Sequence, residues 1–145
     1  REQDLVSLQK EINFLDSYIF MMNVRHKKAV TISMDITIAT ASYYIPTLTL
    51  QMLVENALKH NQYSKEKPLN ISISNIGQDA LVVQNNLQKR MNPEVTTQMG
   101  LQNIKKRYAY HTNKTVLIRE ETSYFEVIVP LLESTVMKSS LKAIS

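Results

Sequence analysis

The chain has 145 residues and a formal net charge of +4, with 43% hydrophobic and 21% charged residues. This composition is typical of one globular domain with a real core, and the absence of cysteine excludes disulfides and thiolate metal sites. No segment approaches the roughly 20 apolar residues of a membrane helix, and the three histidines are too scattered for a zinc motif. We expect a soluble, intracellular piece of a longer protein. Its short basic groups lack interleaved aromatics, so no nucleic acid is expected as a partner.

The first segment carries an apolar residue at every third or fourth position, which predicts a helix over residues 3–25. These residues are Leu5, Leu8, Ile12, Leu15, Ile19 and Met22. The spacing matches a coiled-coil seam, so it predicts a homodimer through the N-terminal helix. Phe14, Tyr18 and Met21 widen the apolar face beyond a strict seam. The alternative is an amphipathic helix that packs on the core of its own domain.

The next segment, residues 29–36, alternates apolar and polar side chains and predicts a strand. A helix is predicted from Pro46 to about His60, because proline is well tolerated where a helix begins. Residues 61–68 are polar and predict a loop.

The second half of the chain contains two predicted hairpins. Residues 69–75 and 80–86 flank a turn in which Gly77 supplies the required backbone freedom. Residues 114–120 and 123–130 form the closing hairpin, and the tail after it is expected to be loosely held.

A third helix is predicted to start near Gly100, with Leu101, Ile104 and Tyr108 facing inward. Too few strands alternate with helices for a doubly wound parallel sheet. The order of elements therefore predicts an α+β fold, a two-layer sandwich with helices on one face of a mixed, largely antiparallel sheet.

The segment "LVENALKHN" places Glu55, Asn56, Lys59 and His60 within roughly 140° of arc on the predicted helix. An acid, an amide and two bases on one face indicate a site. The alternative is a solvated face, with Glu55 and Lys59 as an ion pair one turn apart and His60 as a cation at the helix end.

Four segments resemble the catalytic domain of sensor histidine kinases, closest to the LytS-like group. "IPTLTLQMLVENALKHN" resembles the N box, and "TTQMGLQNIKKRY" resembles the second glycine-rich box. "FEVIVPLL" is similar to the closing strand, and "LQKEINFLDSYIFMMNVRH" to the stretch after the phosphoacceptor region. The resemblance implies a Bergerat-type ATP-binding fold. It divides the chain into the end of a dimerisation region (1–27), the ATP-binding domain (28–132) and a loose tail (133–145).

The resemblance also implies roles for the polar residues of the N box. The Asn56 amide oxygen would help to hold Mg²⁺, which prefers oxygen ligands and bridges phosphates. Glu55 would polarise a water or the attacking group beside the γ-phosphate. Lys59 and His60 would face the phosphates or the ribose.

Further nucleotide contacts are implied outside the N box, at Asn85, Asn86, Gly100, Leu101 and Asn103. Here the sequence departs from the family pattern in three places. Asn85 stands where an Asp usually accepts a hydrogen bond from adenine, and a neutral acceptor makes a weaker bond. Leu87 and Gln98 stand where glycines are usual.

The implied activity is that of a protein-histidine kinase, which uses ATP and Mg²⁺ and passes the phosphoryl group to a response regulator. It implies a cytoplasmic domain of a plasma-membrane sensor protein. The family's phosphoacceptor segment, "PHFLFN"-like, is absent from this sequence, and His26 lies in the wrong context. The alternative is a degenerate domain with weak or no ATP binding that acts as a dimerisation or docking module.

Overall fold

The structure is a computed structural model, and it describes residues 4–91 and 96–134. A five-stranded sheet in the order β2-β4-β5-β7-β6 forms one layer. Its strands are β2 (Val30–Asp35), β4 (Leu69–Ile76), β5 (Ala80–Asn86), β6 (Leu117–Glu120) and β7 (Tyr124–Pro130). β2 and β4 are parallel and the other neighbours are antiparallel.

Three helices form the second layer: α1 (Leu8–His26), α2 (Thr49–His60) and α3 (Thr96–His111). On β4 the apolar residues Leu69, Ile71 and Ile73 are buried, whereas Asn70 and Ser72 between them are exposed. This alternation shows that the helices cover one face of the sheet and leave the other to solvent. The predicted α+β fold with a mixed, largely antiparallel sheet is therefore confirmed.

A second, three-stranded antiparallel sheet was not predicted from the sequence. It consists of β1 (Leu5–Ser7), β3 (Tyr43–Pro46) and β8 (Leu132–Glu133), with β3 in the middle. The first predicted helix therefore loses its first turn to β1 and begins at Leu8. These strands contain two to four residues, too few for a period of two to be visible.

The helix α1 begins at a local cap, since Ser7 Oγ accepts a hydrogen bond from the Lys10 amide at 3.1 Å. Its apolar row packs against its own domain. Leu8 and Leu15 are 0% and 1% exposed and belong to the core of the domain, against which Ile12, Ile19 and Met22 also pack. The interpretation of this row as a dimer seam is wrong, and the alternative of an amphipathic helix on its own core is confirmed.

The helix α3 begins at Thr96, four residues earlier than predicted. Gly100 therefore lies within the first turns of the helix rather than at its entrance. The predicted inward residues Ile104 and Tyr108 are both 1% exposed, and Leu101 packs against the core. In the first hairpin Gly77 adopts a φ of 55°, which confirms the predicted turn. The predicted loose tail lies outside the described residues from residue 135 onward.

Candidate functional site

A cavity of about 270 Å³ lies where the C-terminal half of α2 meets the start of α3 and one end of the large sheet. Its lining comes from α2, α3, three neighbouring strands and the segment after β5. The lining residues are Asn56, Ala57, His60, Asn61, Asn85, Leu87, Lys89, Leu101, Glu120 and Phe125.

Strand register explains why three of these residues meet. On β5 the residues Leu81, Val83 and Asn85 are buried in alternation, so Asn85 faces the helices. Asn85 lies opposite Phe125 of β7, and Phe125 lies opposite Glu120 of β6. The three side chains thus form a row across the end of β5, β7 and β6.

Asn85 is 3% exposed, and its Nδ2 donates a hydrogen bond to the backbone oxygen of Asn86 at 2.8 Å. The carbonyl oxygen is the acceptor of a side-chain amide, so it is the atom with which Asn85 could accept a hydrogen bond from a ligand. Leu87, at a position where the family has glycine, has no positive φ; among the described non-glycine residues only Lys27 and Leu48 do. Leu87 therefore needs no strained backbone and adds an apolar side chain to the cavity wall.

Asn56 and His60 lie one turn apart on α2, and both line the cavity. Asn56 is 8% exposed, and its side chain makes no hydrogen bond with another described residue. Among the described residues only Tyr108 Oη is a fully buried side-chain atom without a partner, so the Asn56 amide is open to the cavity and can pair there with a ligand or water. Burial lowers the pKa of His60; the Glu120 carboxylate opposes this shift and Lys89 adds to it. The imidazole is therefore held in its neutral form near pH 7.

Asn61 was not predicted as a site residue, although it connects α2 to the segment after β5. It is 2% exposed, its Nδ2 donates to Ala57 O at 2.9 Å, and its Oδ1 accepts from the Gln88 amide at 2.7 Å. Arg90 reinforces the connection by donating to Asn61 O at 3.1 Å and to Leu58 O at 3.4 Å. Its sequence signal is weak, because an asparagine after a helix is commonly only a turn residue.

Lys89 and Glu120 form an ion pair at the edge of the cavity, with 2.7 Å between Lys89 Nζ and Glu120 Oε2. Their side chains are 59% and 47% exposed, so the pair contributes little to stability. Its effect on the cavity is positional, because it joins the segment after β5 to the edge strand β6.

The other predicted site residues lie outside this cavity. Glu55 and Lys59 line a neighbouring groove between α1 and α2, together with Tyr18 and His26. Glu55 accepts a hydrogen bond there from Gln51 Nε2 at 3.2 Å. The structure therefore separates the four polar residues of the N box into two pairs, Asn56 with His60 and Glu55 with Lys59.

Asn86 faces the opposite side of the sheet from Asn85. Its Oδ1 accepts from the Asn70 amide at 2.7 Å and its Nδ2 donates to Pro68 O at 3.1 Å, so its side chain joins β5 to the start of β4. In α3, Leu101 lines the cavity, Asn103 is exposed, and a Cβ built on Gly100 would meet no atom within 4 Å. Of the residues predicted in these two segments, Asn85 and Leu101 lie at the cavity.

Comparison with known proteins supports the predicted resemblance. No family model matches the chain. The sensor protein LytS of Bacillus subtilis is 32% identical over 80 residues, which is 55% of this chain and 14% of that protein. The chain thus matches only about one seventh of the length of this relative.

Solved structures show the same fold. The catalytic domain of the histidine kinase ThkA, in a nucleotide-free form, superposes with a TM-score of 0.60 at 13% identity, covering 90% of this chain and 98% of that one. Full-length ShkA in complex with AMPPNP gives a TM-score of 0.56 at 14% identity, covering 90% of this chain and 32% of that one. The similarities confirm the predicted resemblance to LytS-like sensor proteins and the fold of a histidine-kinase catalytic domain. Among the described helices, none combines the length and the apolar character that spanning a bilayer requires.

Proposed function

We propose that this chain is the catalytic, ATP-binding domain of a sensor histidine kinase and that the cavity lined by Asn56 and Asn85 takes the nucleotide. The observation that carries the proposal is the unpaired, nearly buried amide of Asn56, which faces the same cavity as the available carbonyl oxygen of Asn85. The cavity of about 270 Å³ is close to the lower end of ligand sites, about 300 Å³. It suits a planar base between Leu87, Leu101 and Phe125.

The residues at the cavity also fit Mg²⁺ bound together with phosphates. None of the described residues form a group of three or more His, Asp or Glu side chains that could hold a metal alone. Mg²⁺ commonly takes few protein ligands and completes its shell with phosphate oxygens and water. Asn56 would hold the ion through its amide oxygen, and the ion would neutralise charge on the phosphates during transfer.

The remaining N-box residues contribute from the neighbouring groove. Lys59 is exposed there beside Glu55, so both side chains are accessible to a group that approaches α2 from the side of α1. In this proposal Lys59 attracts the phosphates as a compact positive charge, and Glu55 polarises the attacking group. The phosphoryl acceptor is a histidine outside this sequence, and the next acceptor is a response regulator. We further propose that the domain lies on the cytoplasmic side of a membrane sensor.

We also propose a homodimer through the N-terminal helix in the intact kinase, through a different face from the predicted seam. The outward face of α1 presents Phe14, Phe20, Met21 and Val24, which are 59%, 70%, 62% and 61% exposed. Four large apolar side chains on one exposed helix face are typical of an interaction surface. Replacing Phe14 and Met21 by lysine should lower the dimer fraction in analytical ultracentrifugation of the intact protein. An unchanged dimer would exclude this face.

Calorimetric titration with Mg-ATP tests the proposed nucleotide site. We expect weak binding by the parent chain and at least tenfold weaker binding by Asn56→Ala, because the ligand to the ion is lost. Asn85→Asp should strengthen binding by about 1 kcal/mol, since a charged acceptor forms the stronger hydrogen bond. Ser72→Ala, on the exposed face of β4, is the matched control and should bind like the parent chain.

No heat with millimolar Mg-ATP and folded protein would contradict the proposal and favour a docking module. Normal binding by Asn56→Ala, at a matched circular dichroism spectrum, would exclude Asn56 from the metal site.

A further inference from the structure

The helix that carries Asn56 begins without a cap of its own. Its N-cap residue is Leu48, in the left-handed region at φ 63° and ψ 13°, and a leucine side chain cannot accept a hydrogen bond. The first helical bond runs from the Met52 amide to Leu48 O at 2.9 Å. The amides that precede it have no partner within the helix and must be satisfied from elsewhere.

Glu11, in the first turn of α1, supplies the missing acceptors. Its Oε1 accepts from the Leu48 amide at 3.0 Å and its Oε2 accepts from the Leu50 amide at 3.1 Å. These residues are 37 and 39 positions away in the chain. A carboxylate at a helix N-terminus also lies at the positive end of the helix dipole. Glu11 therefore caps the N-terminus of α2 from another helix in place of the Leu48 side chain.

Keeping an acid at this position has a cost. Glu11 is only 3% exposed, and burial raises its pKa even though the Leu50 and Leu48 amides and the Arg107 charge favour the ionised form. A neutral side chain would avoid this desolvation. Buried ionisable groups with such a cost commonly have a functional role.

The third helix joins the same turn. The guanidinium of Arg107, on α3, donates a hydrogen bond to Thr47 O, and its Nη1 lies 3.3 Å from Met52 Sδ. The turn before α2 is thus held by a carboxylate from α1 and a guanidinium from α3. All three helices are therefore joined at this turn. The helix α3 also places Leu101 in the cavity.

We propose that Glu11 is a positioning residue for the cavity: by capping α2 from α1, it fixes the axial position of the helix that presents Asn56 and His60. Leu50 and Asn56 are six residues apart, about 9 Å along a helix axis. A helix is stiff over that distance, so a shift of its first turn reaches the cavity-lining residues. The nucleotide as ligand rests on the proposed function, whereas the positioning of α2 does not.

Hydrogen exchange measured by mass spectrometry on the full chain tests this inference, in parallel with calorimetry using Mg-ATP. Glu11→Gln keeps the shape of the side chain but replaces one acceptor oxygen by a donor amide. We expect exchange across residues 49–60 to accelerate about tenfold and the Kd for Mg-ATP to rise about tenfold, the scale on which loss of a charged cap acts.

Ile73→Val is the matched control, because it lowers stability by removing one methyl group from the core on β4 and leaves the sequence and the capping groups of α2 unchanged. When each variant is measured at the same interval below its own thermal midpoint, Ile73→Val should leave the exchange in α2 and the Kd for Mg-ATP unchanged. Should Glu11→Gln fail to fold, Glu11→Asp carries the same comparison, since it keeps the acid but shortens its reach by one methylene.

Unchanged exchange over residues 56–60 in the Glu11 variant would overturn the inference, and so would acceleration equal to that in the Ile73 control. Acceleration restricted to the first turn, with an unchanged Kd, would also overturn it. Faster exchange throughout α2 in the Glu11 variant, together with no binding of Mg-ATP by the parent chain, would support the positioning role and reject the nucleotide site.

Discussion

The two ends of α2 are held by opposite charges from distant parts of the chain. At the N-terminus the Glu11 carboxylate accepts from the Leu48 and Leu50 amides. At the C-terminus Arg90 donates to Leu58 O and Asn61 O. Both arrangements complement the helix dipole, with the acid at its positive end and the base at its negative end. α2 thus has a tertiary contact at each end, and at its C-terminus this contact adds to the local bond from Asn61 Nδ2 to Ala57 O.

The two caps differ in burial and in what they connect. Glu11 is buried and links α2 to α1, whereas Arg90 is exposed and links α2 to the segment after β5. The C-terminal cap lies beside the cavity residues His60 and Asn61, so it acts on them directly. The N-terminal cap acts through the length of the helix. The comparison teaches that one helix can transmit a change at α1 to a site formed at its other end.

The largest expected effect comes from a substitution in the middle of α2, which would disrupt both ends of the helix by unfolding the domain. Val54 is 0% exposed in the middle of α2, and Val54→Asp would bury an unpaired charge in the core. We expect destabilisation by more than about 4 kcal/mol and loss of the cooperative thermal transition in circular dichroism. Val24→Asp, at a position 61% exposed on α1, should retain the transition. A folded Val54→Asp protein would mean that this face of α2 is not a core face.

The C-terminal cap can be broken separately. Arg90→Gln loses the charged donor to Leu58 O and Asn61 O, and we expect the free energy of unfolding in urea to fall by about 2 kcal/mol. The neighbouring Lys89→Gln removes only an exposed ion pair and should cost less than about 1 kcal/mol. Equal losses in the two variants would show that Arg90 does not cap the helix.

A substitution at the N-terminal end of α2 can stabilise the protein rather than destabilise it. Leu48 is 43% exposed and adopts a φ of 63°, a conformation that costs a residue with a Cβ about 1 kcal/mol or more. Leu48→Gly should therefore raise the free energy of unfolding by about 1 kcal/mol, whereas Leu48→Ala, which keeps the Cβ, should not. Urea unfolding of both variants measures the difference. A gain in the alanine variant alone would place the strain in the side chain.

The smallest expected effect is a dependence of the free energy of unfolding on pH, caused by Glu11 at the N-terminal end of α2. Because burial raises the pKa of Glu11 above its ordinary 4.5, the folded state holds this proton more tightly than the unfolded state. The resulting contribution to stability is complete below pH 4.5 and is lost as the pH rises through the raised folded pKa. The unfolding free energy of the parent chain, minus that of Glu11→Gln, should decrease from pH 4.5 toward neutrality. A difference that increases would mean that the hydrogen bonds to Glu11 outweigh its burial.

Local patterns in the sequence determined the main elements and part of the site. Alternation over residues 69–75 and 80–86 is visible because each strand is long enough for the period of two, and Gly77 marks the turn between them. The same period places Asn85 toward the helices. The helical spacing of α2 also separates Glu55 and Lys59 from Leu50 and Val54, which are 0% exposed. These features depend on neighbouring residues only, so the sequence alone was sufficient.

Only the tertiary structure decided which surfaces meet. The apolar row of α1 fits a partner helix and the domain core equally well by spacing, and the structure buries Leu8 and Leu15 in the core. Asn61, Glu120 and Phe125 reach one cavity through strand register and the path of the chain, and Glu11 reaches Leu50 across 39 residues. Sequence periodicity does not predict contacts over such a separation. Contacts between distant segments arise from packing all the elements together rather than from the propensity of any one of them.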